Sequence, residues 1–187
     1  MGFTREELAR FEGETVDDLL GPEVRLLFVG INPGLWTAAT NTHFCHPSNR
    51  FYPALRAAGL IDWGIDTSAG MSVEERERLA RTGIGITNLV PRATARASQL
   101  TAGELRQGAS RLERLVSAVA PRVIAVAGVT AYRTAFGRRG AVLGPQPERI
   151  GEAEVWVVPN PSGLNAHETI GSLADWYRKA AKAAGLQ

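Results

Sequence analysis

Apolar runs and amphipathic stretches alternate along the chain. VRLLFVG, residues 24 to 30, is a continuous apolar run ending in glycine, the pattern of a parallel strand buried on both faces. GIGITNLV (83 to 90), RVIAVAG (122 to 128) and EVWVVPN (154 to 160) repeat that pattern. Helical patterns stand between and around these runs. NRFYPALRAAGL, 49 to 60, predicts a helix stopping near Gly59. SVEERERLARTG, 72 to 83, places Glu75 three residues after Ser72 and ends on glycine. The stretch from 101 to 120 opens on Thr101 and Glu104 in the same way. A short helix over 129 to 136, a last one from about 170 to 184, and one or two within 4 to 20 complete the pattern.

Strands separated by helices imply a three-layer α/β/α sandwich around a mostly parallel, four-stranded sheet. The 187 residues suit one domain, 1–187, with residues 1–22 as an N-terminal helical extension. Open sheets of this class bind ligands at the carboxyl ends of their strands. There the chain carries Gly30-Ile31-Asn32-Pro33-Gly34, then Thr87-Asn88, then Asn160-Pro161-Ser162-Gly163-Leu164. A single asparagine at such a place is an ordinary turn residue. Three at one sheet edge point to a polar pocket.

Composition narrows the classes. Hydrophobic residues make up 44% and charged residues 21%, as in a globular protein, and no apolar run has the length of a membrane span. The first residues, MGFTREELARFEGE, lack the apolar core of a signal peptide, so a cytoplasmic protein with no membrane partner is expected. Cys45 is the only cysteine, which excludes an internal disulfide and a four-cysteine metal or iron–sulfur site. The run His43-Phe44-Cys45-His46 matches no common zinc spacing, so neither a metal nor another cofactor is expected. Net charge is only +2, but nineteen of the 21 basic residues are arginine, the side chain suited to bidentate phosphate contact.

An asparagine amide donates and accepts hydrogen bonds but does not titrate near neutral pH. Asn32 can therefore hold a water or a carbonyl but cannot act as a base. Chemistry at such a site rests on positioning and on stabilising a leaving group. Hydrolysis of a nucleotide's glycosidic bond fits, because uracil leaves as a fairly stable anion. Phe44, in the loop THFCHPSNRF, is placed to stack on an extruded base, while Phe51 opens a helix and suits the core.

At these residues the chain resembles the mismatch-specific uracil-DNA and thymine-DNA glycosylase family. The match runs through GINPGLWTAATNTHFCHPSNRFYPALRAAGL (30 to 60), GIGITNLVPRAT (83 to 94) and NPSGL (160 to 164), and covers most of the chain from about residue 24. The resemblance implies a monomer acting on double-stranded DNA that contains uracil or a mismatch, and releasing the base to leave an abasic site. It implies that Asn32 positions the attacking water and Phe44 stacks on the flipped base. Gly30, Ile31, Thr37, His43, Asn88 and Asn160 would complete the base pocket. Leu164 would fill the vacated stack, with Ser162, Gly163 and Asn165 around it, and Arg50 and Arg92 would meet phosphates. Thr37 sits where small residues occur in the family, which favours uracil over thymine. Ala166, beside His167, replaces an arginine found in some members, and Pro91 and Ala93 alter the loop after Asn88. The base range stays open between uracil, ethenocytosine and mismatched thymine. Lys179 and Lys182, the only lysines, lie far in sequence from every motif, so strand cleavage through a lysine Schiff base is not expected. The alternative is a non-catalytic nucleic-acid- or nucleotide-binding module on the same fold; GINPG lacks the GxGxxG spacing of a dinucleotide site.

Overall fold

The computed structural model describes residues 2–187. The strands are β1 (Leu26–Gly30), β2 (Ile84–Asn88), β3 (Val123–Ala127), β4 (Gly144–Ile150) and β5 (Ala153–Val158). They form one sheet in the order β2-β1-β3-β5-β4. The first four in that order run parallel, and β4 pairs antiparallel with β5. The sheet therefore has five strands rather than the four its apolar runs predict. The additional one, GPQPERI, carries Pro145 and Pro147, whose missing N–H groups a central strand could not tolerate. An edge strand with an irregular register accommodates both.

Among the described residues, seven α-helices accompany the sheet: α1 (Arg5–Ala9), α2 (Leu35–Thr40), α3 (Phe51–Ala57), α4 (Val73–Ala80), α5 (Ala102–Val119), α6 (Val129–Phe136) and α7 (Ile170–Ala183). The capping boxes at Ser72–Glu75 and Thr101–Glu104 open α4 and α5 where the sequence placed them. At the N-terminus a single short helix forms. Beyond it Thr15 bridges Arg92 and Leu19 bridges Ile86, so residues 15 to 19 run extended beside β2.

Strand side chains alternate between two cores. Leu26, Phe28, Ile84 and Ile86 pack with Phe51 and Leu55 of α3 and Leu173 and Tyr177 of α7. Leu27, Val29, Ile124 and Val126 pack on the other face with Leu112 and Val116 of α5 and Tyr132 of α6. Each such buried side chain contributes about 1.5–3 kcal/mol. Two filled faces leave the carboxyl edge of the sheet as the place where polar groups can gather.

Candidate active site

The loops after β1 and β2 continue the sheet beyond its strands. Gly30 is the register partner of Asn88. Past them, Leu89 N donates to Gly30 O, Val90 N to Ile31 O and Thr94 N to Pro33 O. This zipper carries Asn32 beside Thr94. With the loop after β5 and the segment 44–49, the two loops enclose a cavity of about 800 Å³, a volume suited to a small organic ligand.

Five asparagines line it, and the three at the strand ends, Asn32, Asn88 and Asn160, are each half committed. Asn32 Nδ2 donates to Pro33 O and Arg92 O, both at 3.1 Å, and to Thr94 Oγ1 at 2.7 Å. Thr94 in turn donates to Arg96 O at 2.9 Å. Carbonyls only accept, so the amino group of Asn32 must face these partners, and Oδ1 is left as an acceptor without a partner among the described residues. Asn88 Nδ2 lies 3.0 Å from His43 Nδ1, which leaves its oxygen and its second N–H unused. Asn160 is committed the other way: its Oδ1 accepts from Ser162 N at 3.0 Å, leaving the amino group as a donor. The cavity thus presents an acceptor at Asn32, an acceptor with an adjacent donor at Asn88, and a donor at Asn160. That set complements an imide, which offers one N–H between two carbonyls.

Phe44 lines the cavity and stacks on Phe51, ring centroids 4.1 Å apart. It occupies the left-handed region, φ 54°, at a cost of about 1–2 kcal/mol for a residue with a Cβ. Gly30 leaves room where the groups converge. A Cβ there would lie 2.4 Å from Asn88 Oδ1 and 3.2 Å from Phe44 Cζ. Ile31 and the buried Thr37 also line the cavity, and Thr37 Oγ1 faces the Cys45 carbonyl at 3.4 Å.

His43 is buried and stands behind Asn88 rather than in the cavity wall. Burial lowers its pKa to about 4, so the ring is neutral near pH 7. Ser162, Leu164 and Asn165 lie at the rim, and Leu164 is 95% exposed. The loop beneath it is braced: Asn165 Nδ2 donates to Asn160 O, and Asn165 N to Ser162 O, both at 3.0 Å. Gly163 lies outside the cavity and passes so close to Ser48 that a Cβ would come within 2.5 Å of its hydroxyl.

The two arginines expected at phosphates are committed inside the protein. Arg50 donates to Ser162 O and Asn165 O, both at 2.6 Å, and to Glu168 O, so it clamps the Leu164 loop from behind. Arg92 pairs with Glu104 at 2.5 Å, and this contact holds the Glu104 carboxyl well below the usual carboxylate range. Arg96 is the exposed arginine on the cavity rim, with no ion pair among the described residues. The sequence did not single out Arg96, Thr94 or Trp36, all of which line the cavity, and it weighed His46, which lines it too, only as a metal ligand. Thr94 becomes visible only once the β1 and β2 loops are paired. Among the described residues, no three His, Cys, Asp or Glu gather as metal ligands, and no helix is long and apolar enough to cross a membrane.

Residues 18–184 match the family model described as the uracil DNA glycosylase superfamily. Among solved structures, the chain is similar to a Methanosarcina acetivorans protein provisionally named as a uracil DNA glycosylase and solved by solution NMR. The TM-score is 0.58 and the identity 18%, over 92% of this chain and 96% of that one, a likeness in fold.

Proposed function

The chain belongs to the uracil DNA glycosylase superfamily, and we propose that it is a monofunctional, mismatch-specific uracil-DNA glycosylase that acts as a single-domain monomer. The observation that carries this reading is the complementary commitment of the three asparagine side chains around one cavity. A uracil extruded from duplex DNA enters with its N3–H toward Asn88 Oδ1. The second Asn88 N–H meets one carbonyl and the Asn160 amino group the other. Phe44, backed by Phe51, stacks on the ring.

Asn32 Oδ1 accepts a hydrogen bond from a water and aims it at the anomeric carbon. The glycosidic bond breaks toward an oxocarbenium-like sugar, and its electron pair leaves on the uracil anion. Donors at Asn88 and Asn160 stabilise the charge that develops on the carbonyl oxygens. The water adds to the sugar and its proton passes to solvent. Neither lysine lines the cavity, which supports hydrolysis to an intact abasic site over strand cleavage.

Thr37, buried at the wall, favours uracil over the bulkier thymine. Leu164 replaces the extruded base in the stack, and Arg96 meets a flanking phosphate. The test is a duplex containing one uracil opposite guanine. Release of free uracil, with alkali-labile but otherwise unbroken strands, is the expected result. Tight binding with no base release at enzyme excess would instead favour a non-catalytic module.

A further inference from the structure

An asparagine is by itself an ambiguous reader of pyrimidines. With its oxygen toward N3 it accepts the N3–H of uracil. Turned over, the same amide pairs with cytosine, whose N3 accepts and whose exocyclic amine donates. Cytosine is a normal base of DNA, so a glycosylase that reads with Asn88 needs the amide held one way.

In this protein the direction is set from outside the cavity. Nε2 of His43 lies 2.8 Å from the Asp17 carbonyl. A carbonyl only accepts, so Nε2 carries the hydrogen. The ring is buried and neutral, so Nδ1 is a bare acceptor. Asn88 must then turn its amino group to Nδ1, 3.0 Å away. Its oxygen falls on the other side, against Gly30, where the absent Cβ leaves room for it. The backbone of His43 is held too, since Tyr52 Oη donates to its carbonyl at 2.6 Å.

Resting on the uracil reading of the cavity, we propose that His43 is a positioning residue that locks Asn88 in the uracil-reading orientation and thereby excludes cytosine. If Asn88 turned over, its oxygen would meet the Nδ1 lone pair. If the imidazole hydrogen moved to Nδ1 to relieve that contact, the Nε2 lone pair would meet the Asp17 carbonyl. Either arrangement leaves buried acceptors facing each other with no hydrogen between them. The discrimination then belongs to a chain of three residues, Asp17, His43 and Asn88, of which only the last lines the cavity.

Two measurements test this. The first uses the unaltered protein. Long-range proton–nitrogen correlation spectra of the three histidines near pH 7 should show His43 as the Nε2–H tautomer. An Nδ1–H tautomer would overturn the proposal without touching the assignment of activity. The second uses His43→Asn and His43→Phe, which remove the directional acceptor. Binding is measured to duplexes carrying 2′-fluoro-2′-deoxyuridine or 2′-fluoro-2′-deoxycytidine, both resistant to hydrolysis, alongside base release from the natural nucleotides. The expected outcome is a fall of roughly tenfold or more in the uracil-to-cytosine preference. Weaker uracil release and the appearance of some cytosine release should accompany it. A variant that loses activity on uracil but keeps the full preference in binding would show that His43 serves only stability. If the unaltered protein releases no uracil, the glycosylase reading itself fails, whichever tautomer His43 adopts.

Discussion

Removing the Thr94 hydroxyl should slow base release while sparing DNA binding. Thr94 is buried at the cavity wall. Its Oγ1 accepts the shortest of the three contacts made by Asn32 Nδ2, at 2.7 Å, and passes a hydrogen on to Arg96 O. Thr94→Val keeps the shape but withdraws that acceptor, while the Arg96 carbonyl keeps the Gln99 backbone N–H at 3.0 Å. Asn32 keeps the Pro33 and Arg92 carbonyls, so it is loosened rather than freed. A single such hydrogen bond contributes about 0.5–1.5 kcal/mol. If most of that appears as misdirection of the Asn32 oxygen, the single-turnover rate falls roughly twofold to tenfold. The assay is base release from a uracil–guanine duplex at enzyme excess, with binding to a 2′-fluoro-2′-deoxyuridine duplex and thermal denaturation alongside. Thr94→Ser should recover most of the rate. A Thr94→Val protein with the unaltered rate, or one whose loss lies wholly in binding, would refute the idea that Thr94 aims Asn32.

Gly30→Ala should cut base release at least about tenfold and cost about 1–3 kcal/mol in denaturant unfolding, because its Cβ collides with an Asn88 oxygen that cannot retreat. Leu164→Ala should leave stability within about 0.5 kcal/mol, since the side chain is exposed. It should weaken action on duplex roughly tenfold to a hundredfold and act little on single strands; equal losses on both would speak against a wedge. His43 binds its proton more weakly in the fold, at about 4, than in the unfolded chain, at about 6.5. Its contribution to stability is therefore complete above about pH 6.5 and is lost as pH falls toward 4, by about 3 kcal/mol. Denaturant titrations at pH 7, 5 and 4 should show that component in the unaltered protein and not in His43→Gln.

Much of this architecture is legible in the sequence because the buried strands announce themselves. LLFVG, IGITN and VIAVA are buried at every position since both sheet faces are covered, and Asn88 ends the second of these strands while Asn32 follows the first by two residues. Strand β4 is not legible, because an edge strand with two prolines has the composition of a loop. Helix α2 lacks a side-chain cap, since Gly34 stands at its N-cap position, and so hides within the motif. The placing of Asn32, Phe44, Asn88 and Asn160 around one cavity follows from the motifs and the sheet rule. The commitments of Arg50, Arg92 and His43 do not. Arginine at a loop suggests phosphate, yet Arg50 spends its guanidinium on three carbonyls more than a hundred residues away. Such long-range pairings carry no local pattern.

The central claim is that a non-titrating amide, Asn32, directs water to the sugar of an extruded uracil. It is tested most directly by comparing Asn32→Ala with the unaltered protein on one uracil–guanine duplex under single-turnover conditions, with uracil release and DNA binding both measured. The account predicts a loss in rate of roughly a hundredfold to a thousandfold, with affinity for the duplex nearly unchanged. Uracil release at an undiminished rate from Asn32→Ala would contradict it.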